Sequence, residues 1–186
     1  PRPGRKLTRM NITIFGGTKP QPGDADYREA ERLGCLLARA GHTVITGGYI
    51  GTMEAASKGA AEAGGHVVGI TCREIEAWRG GKANRWVLEE LKVDTLQERM
   101  IVLMDRADAV LALPGGIGTL AEISLLWNRM IIQSCPRKPL ILIGPGWEAV
   151  AGQLALQDGY FPPAHIELLR FAATIEDAAA AVASGV

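Results

Sequence analysis

The chain has 186 residues, with 20 basic and 20 acidic side chains and a formal net charge of zero at pH 7. This length suits one α/β domain, because folds of this size bury roughly 70% of their unfolded surface. The neutral balance excludes an overall field that would attract nucleic acid or an acidic membrane. We therefore expect a small molecule as the partner, with no nucleic acid and no membrane.

The three cysteines stand far apart, with no CxxC pair and no histidine at metal-ligand spacing. Such a pattern is typical of reduced thiols, so we expect a cytoplasmic protein with no metal site and no cofactor. No run of the chain approaches the roughly 18 apolar residues that a membrane span needs. We interpret 1–10 as a basic, flexible N-terminal segment and 11–186 as a single nucleotide-binding domain.

Short, nearly continuous apolar runs alternate with helical patterns along the chain. Runs of this kind are typical of parallel strands that are covered on both faces, and the alternation indicates right-handed crossovers. We therefore predict an α/β fold, a Rossmann-like doubly wound parallel sheet flanked by helices on both faces. The predicted strands are 11–15, 43–46, 67–71, 89–94, 108–113 and 139–143. The predicted helices are 26–40, 52–63, 95–106, 118–134, 147–157 and 175–183.

Segment 72–86, CREIEAWRGGKANRW, is a long irregular stretch in this pattern. A loop of this length in a compact domain is typical either of a functional element or of a partly disordered surface excursion. Both interpretations stay open. If the segment is functional, Asn84 and Arg85 are candidates for substrate contacts.

Three predicted strands are followed by glycine-rich loops: FGGTKPQPG, TGGYIGTME and PGGIGTLAE. Ligands of open α/β sheets bind at the carboxyl ends of the strands. Glycines there let backbone N–H groups approach an anion, and a following helix N-terminus adds about half a positive charge. A single glycine serves equally well in a tight strand-to-helix turn. Three clusters at one edge favour a phosphate site.

Two motifs that are missing from the sequence limit which phosphate compounds this site is expected to bind. Gly116, Gly118 and Ala121 satisfy the GxGxxA dinucleotide pattern, but the acid that would hold the ribose is absent after the next strand. A P-loop is excluded because no GxxxxGK[ST] motif occurs. The sequence predicts a phosphate-binding site that lacks the usual motifs for binding a dinucleotide or a nucleoside triphosphate.

Two charged residues near these loops have two interpretations each. Thr119 and Glu122 have the spacing of a capping box, and a carboxylate in a first helical turn is favoured in its ionised form. The alternative is a catalytic carboxylate that accepts a proton or stabilises positive charge. Arg99 lies on the apolar stripe of helix 95–106, so it either pairs with an acid in the core or binds a phosphate or a substrate hydroxyl.

The segment LPGGIGTLAE resembles the PGGxGTxxE signature of the Lonely Guy family, the cytokinin riboside 5′-monophosphate phosphoribohydrolases once labelled lysine decarboxylases. FGGTKPQPGDADYREAERLGCLLARAGHTVITGG is similar to the family's opening strand, loop, helix and second strand. The resemblance implies hydrolysis of the N-glycosidic bond of a nucleoside 5′-monophosphate, either AMP or a cytokinin riboside monophosphate. The products would be free base and ribose 5-phosphate. It also implies a homodimer.

Carried over by position, the resemblance implies that Arg99 and Glu122 are catalytic. The chain departs from the family in LQERM, where Gln97 and Met100 stand in place of the usual histidine and lysine. This departure keeps open a second hypothesis, a non-catalytic carrier of a nucleotide or of molybdenum cofactor on the same fold. The predicted substrate- and phosphate-binding residues are Gly17, Thr18, Gly47, Gly48, Gly51, Thr52, Met53, Asn84, Arg85, Pro114, Gly115, Gly116, Ile117, Gly118 and Thr119.

Overall fold

A computed structural model describes residues 9–157 and 159–184 of the chain. Its strands are β1 (Asn11–Phe15), β2 (Thr43–Thr46), β3 (Val67–Cys72), β4 (Glu89–Val93), β5 (Ala109–Ala112), β6 (Leu140–Ile143) and β7 (Leu169–Ala172). They form one parallel sheet in the order β4-β3-β2-β1-β5-β6-β7. Most of the predicted N-terminal segment 1–10 lies outside the described residues, so its predicted flexibility stays a prediction.

The helices are α1 (Ala25–Arg39), α2 (Thr52–Glu62), α3 (Arg73–Arg79), α4 (Leu96–Asp105), α5 (Ile117–Ile131), α6 (Pro145–Ala155), α7 (Pro163–Ile166) and α8 (Ile175–Ser184). All but the last lie in the connections between strands, where right-handed crossovers place them. Within the described ranges, no helix combines the length and the apolarity that crossing a bilayer demands.

Two apolar clusters fill the space between the sheet and its helices. Neighbouring strand residues point to opposite faces, and accordingly Ile14 belongs to one cluster while Phe15 belongs to the other. The first cluster includes residues of α1, α2 and α8, and the second includes residues of α4, α5 and α6. The predicted fold class, a parallel sheet with helices on both faces, is confirmed.

The predicted strands and helices are all present, with ends that differ by at most three residues. The elements α3, α7 and β7 were not predicted from the sequence. The interpretation of 72–86 as irregular throughout is wrong, because Arg73–Arg79 forms α3. This helix buries none of its residues, so it shows no apolar periodicity from which a helix is predicted. β7 is a short edge strand whose two central residues are exposed.

Candidate functional site

The loops after β1, β2 and β5 meet at the carboxyl edge of the sheet. The chain fills the sheet from β1 to β4 in one direction and then places β5 on the other side of β1. A topological switch point, where ligands of such sheets bind, therefore lies between β1 and β5. Gly17 N donates across it to Pro114 O at 3.3 Å, and Thr52 N donates to Gly17 O at 3.0 Å. The three glycine-rich loops form one connected edge, as predicted.

A cavity of about 890 Å³ opens at this edge. It is bounded by the three loops and by residues of α3, α4 and α5. The predicted site residues that line it are Gly17, Thr18, Gly47, Met53, Arg99, Pro114, Gly115, Gly116, Ile117, Gly118, Thr119 and Glu122. Gly48, Gly51, Thr52, Asn84 and Arg85 are not among the lining residues.

Several residues outside the lining hold the loops in place. Thr52 Oγ1 donates to Gly17 O at 3.0 Å. The Asn84 side-chain amide donates to Gly48 O at 3.1 Å and to Tyr49 O at 2.9 Å, and the Arg85 guanidinium stacks on Trp86. The structure therefore places Asn84 behind the loop after β2 and does not bring Asn84 or Arg85 to the cavity.

One wall of the cavity, here called the glycine rim, consists of Gly17, Thr18 and residues 114–119. The helix α5 begins there at Ile117, with Gly116 as its N-cap residue and no side-chain cap. The first N–H groups of a helix lack intrahelical partners and carry partial positive charge. Residues 114–118 are exposed to solvent, so the backbone donors of this segment can bind an anion such as a phosphate.

The interpretation of Thr119 and Glu122 as a capping box is wrong. Because the N-cap residue is Gly116, Thr119 lies inside the first turn of α5 and is buried. Glu122 lies beyond that turn, where the helix end no longer favours its ionised form. A capping box does form at the start of α4, between Thr95 and Glu98.

The Glu122 carboxyl is largely buried at the cavity wall, and its side chain is 13% exposed. Burial raises the pKa of Glu122 to about 7, because a charged carboxylate loses hydration there, while the charge of Arg99 acts in the opposite direction. The prediction of a carboxylate favoured in its ionised form by the helix is therefore wrong. Glu122 is a group that takes up and releases a proton near neutral pH.

Arg99 is the buried partner of this acid. Its Nε donates to Ile70 O at 2.7 Å and its Nη2 donates to Gly47 O at 3.0 Å, while Nη1 lies 3.6 Å from Glu122 Oε1. A Cβ atom on Gly47 would overlap Arg99 Nη2, so only glycine admits this contact. Of the two interpretations of Arg99, pairing with an acid is the one seen, and the pair lies at the cavity wall.

A second wall, here called the aromatic rim, consists of Tyr49, Trp78 and Arg79. None of the three was among the predicted site residues. The Tyr49 ring lies under two guanidinium groups, with Arg79 Cζ at 4.8 Å and Arg99 Cζ at 5.5 Å from its centroid. A signal for Tyr49 was present in the sequence. It is the aromatic residue of the glycine-rich loop TGGYIGTME.

The composition of the site bears on metal chemistry. Over residues 9–157 and 159–184, no group of three or more histidine, cysteine, aspartate or glutamate side chains is arranged to hold a metal ion. Cys35, Cys72 and Cys135 are free thiols. The groups that the chain itself brings to the cavity are the carboxyls of Asp24, Asp26 and Glu122, the Lys19 ammonium, two guanidinium groups, aromatic rings and backbone amides.

The model of the SLOG cluster4 family matches residues 9–150. The chain belongs to this family. The match covers β1 to the middle of α6 and so includes the glycine rim, Arg99 and Glu122. The resemblance to the Lonely Guy family is confirmed as well. The cytokinin riboside 5′-monophosphate phosphoribohydrolase of Mycobacterium tuberculosis is 31% identical over 169 residues, covering 87% of this chain and 88% of that protein.

Two solved structures share the fold over nearly all of the chain. The molybdenum cofactor carrier protein of Chlamydomonas reinhardtii has a TM-score of 0.72 and 26% identity, covering 95% of this chain and 98% of that one. The molybdenum cofactor binding protein of Rippkaea orientalis has a TM-score of 0.74 and 24% identity, covering 96% and 98%. The chain therefore has relatives named as hydrolases, and the same fold occurs in proteins named for binding a cofactor.

Proposed function

We propose that this SLOG cluster4 protein is a phosphoribohydrolase that cleaves the N-glycosidic bond of a nucleoside 5′-monophosphate, either AMP or a cytokinin riboside monophosphate. The observation that carries the proposal is the Arg99–Glu122 pair, with 3.6 Å between Nη1 and Oε1, in the same cavity as the uncapped start of α5. The relatives named as phosphoribohydrolases support the same reaction.

The glycine rim would bind the 5′-phosphate. Its backbone N–H groups and the positive end of α5 suit an anion, and ideal Cβ atoms on Gly116 and Gly118 would meet nothing within 4 Å. This open space above the backbone leaves room for phosphate oxygens. A phosphate held there would place the attached ribose beside Glu122, which lies on α5, the helix that begins at Ile117.

Glu122 would then act on the ribose. The C1′–N bond breaks with its electron pair going to the base, and positive charge develops on the ribose, which a nearby carboxylate stabilises. A water oxygen bonds to C1′, one of its protons passes to ionised Glu122, and the base takes up a proton from solvent. Because the pKa of Glu122 is about 7, this proton transfer is reversible near neutral pH.

Arg99 would position the acid. Its two hydrogen bonds to the carbonyls of Gly47 and Ile70 fix the guanidinium, and its charge favours the ionised form of Glu122, which holds the pKa below the value that burial alone would give. A ribose hydroxyl is a further acceptor for Arg99 N–H groups at the cavity wall.

The test is incubation of the purified protein with AMP and with isopentenyladenosine monophosphate, with the free base detected by chromatography. Glu122→Gln keeps the shape of the side chain but removes its charge, so turnover should fall by at least about 100-fold. Glu148→Gln on α6 is the matched control, because Glu148 is exposed and does not line the cavity. Full activity in Glu122→Gln would contradict the mechanism.

A second candidate function is a non-catalytic carrier of a nucleotide or of molybdenum cofactor. It is favoured by Met100, which lines the cavity where the resembled family has a lysine, and by the carrier proteins that share the fold. A nucleotide that raises the melting temperature while no base is released would favour the carrier.

We also propose a homodimer. Outside the cavity, apolar side chains are exposed at Ile101 on α4 and at Ile132 after α5, and exposed apolar surface of this kind is typical of a subunit contact. The mass by light scattering tests this directly, and a monomer at every concentration would reject it.

A further inference from the structure

The Arg79 guanidinium lines the cavity without an acidic partner. Among the described residues it makes no ion pair and no hydrogen bond, and its aromatic neighbour is the Tyr49 ring at 4.8 Å. The other arginine of the cavity, Arg99, is occupied by two carbonyls and by Glu122. The donors of Arg79 are therefore available to a ligand.

The ring that supports Arg79 is fixed from behind. Tyr49 is 3% exposed, its hydroxyl donates to Cys72 O at 3.0 Å and it accepts from Cys72 N at 2.8 Å. These bonds join the loop after β2 to the end of β3. Tyr49 thus provides a rigid surface against which the guanidinium of Arg79 is placed by a cation–π contact.

Trp78 and Arg79 of the aromatic rim lie apart from residues 114–119 of the glycine rim. The glycine rim follows β1 and β5, whereas Trp78 and Arg79 lie on α3, which follows β3. Three strand spacings separate β5 from β3, a distance of about 14 Å. Arg99 reaches the carbonyl of Gly47, just after β2, and that of Ile70, within β3, and Glu122 comes from α5, so their pair lies between residues 114–119 and α3.

This order matches the parts of a nucleoside monophosphate. A phosphate on the glycine rim and a ribose at the Arg99–Glu122 pair bring the base to the aromatic rim. A guanidinium has only donors. It therefore pairs with two acceptors in one plane, such as O6 and N7 of a 6-oxopurine, and this is its commonest specific contact with a base. Adenine presents an amino donor in place of O6.

We infer that Arg79 selects a 6-oxopurine, so that IMP and GMP are preferred to AMP. The inference rests on the proposed cleavage of a nucleoside 5′-monophosphate and replaces adenine with a 6-oxopurine as the preferred base. Trp78, which is 81% exposed beside Arg79, offers a stacking surface that does not distinguish one purine from another. Arg79 therefore determines which purine is preferred, whereas Trp78 contributes affinity for any base.

The experiment compares IMP with AMP, which differ at position 6 and in the protonation of N1. Dissociation constants from calorimetry and kcat/KM from base release are measured for the wild-type chain, Arg79→Met and Arg79→Lys. The wild-type chain should prefer IMP by about tenfold, and Arg79→Met should remove that preference. Arg79→Lys keeps the charge without the planar fork, so it should lose most of the preference too.

Arg73→Met on the same helix is the matched control, because Arg73 pairs with Asp94 and does not line the cavity. It should keep the preference for IMP. An equal or greater affinity for AMP in the wild-type chain, or a preference unchanged in Arg79→Met, would overturn the inference. Preferential binding of IMP without base release would support the inference and reject the hydrolase. A failure of both nucleotides to bind would reject both proposals.

Discussion

The two rims of the cavity recognise a ligand with different parts of the chain. The glycine rim offers backbone amides and the uncapped start of α5, whereas the aromatic rim offers the side chains of Tyr49, Trp78 and Arg79. Backbone recognition depends on a short local motif, while side-chain recognition depends on segments that meet only in the folded chain. Binding of an anion and choice of its attached group can therefore change independently.

Arg99 connects the aromatic rim with α5, the helix that begins at the glycine rim, because it contacts Tyr49 on one side and Glu122 on the other. A change that displaces Arg99 should therefore affect both ends of the cavity and have the largest effect. Changes at Glu122 should act on the pair and leave both rims in place, and changes at Trp78 should affect one rim and leave the other unchanged.

Gly47→Ala should displace Arg99 from its contacts with Tyr49 and Glu122. The added Cβ would overlap Arg99 Nη2, and overpacking of this kind costs about 1–3 kcal/mol of the free energy of unfolding. Displacement of Arg99 should also reduce turnover, since Glu122 loses its partner. Urea denaturation and base release measure the two effects.

Gly152→Ala is the matched control for Gly47→Ala. Gly152 lies inside α6, and a Cβ there would meet nothing within 4 Å. Alanine favours a helix over glycine by up to about 1 kcal/mol, so this variant should be as stable as the wild-type chain or more so. Equal stability of the two variants would show that Arg99 moves freely and that the rims are not connected through it.

Glu122→Gln should change the dependence of stability on pH. The pKa of Glu122 is raised in the folded chain to about 7, so the stability that its protonated form contributes is fully present below about pH 4.5 and is lost as pH rises through 7. Glutamine carries no charge at any pH. Between pH 5 and pH 8, the free energy of unfolding of the variant should therefore rise by about 2 kcal/mol relative to that of the wild-type chain.

Melting temperatures of both proteins across that range measure the difference. A constant gap would contradict a raised pKa for Glu122. In the wild-type chain, kcat should fall as pH decreases below about 7, because protonated Glu122 cannot accept a proton from water. A rate that rises in acid would instead assign Glu122 the role of a proton donor.

Much of the fold was predictable because its signals are local. Continuous apolar strands and the three glycine loops indicated the parallel sheet and the edge at which the cavity lies. The glycine rim was predicted for the same reason, since PGGIG places bare backbone at a helix start within a few residues. The resemblance to a known family then indicated Arg99 and Glu122, whose pairing the folded chain shows.

The remaining features depend on contacts between distant segments. Because α5 begins at Ile117, Thr119 and Glu122 do not form the predicted capping box. Burial, and not the helix end, sets the pKa of Glu122. The arrangement of the aromatic rim could not be predicted, because α3 buries no residue and Tyr49 meets Arg79 only after folding. Asn84 was a candidate for a substrate contact, but its amide donates to the backbone of the loop after β2.

Trp78→Ala should weaken binding at the aromatic rim only, and its effect should be the smallest of these variants. Loss of a stacking surface costs about 1 kcal/mol per base, so the dissociation constants of IMP and AMP should both rise about fivefold with their ratio unchanged. Ribose 5-phosphate has no base, and its affinity should not change. Tyr160→Ala is the matched control, because Tyr160 is 82% exposed and does not line the cavity. Equal weakening of ribose 5-phosphate by Trp78→Ala would show that the glycine rim depends on the aromatic rim.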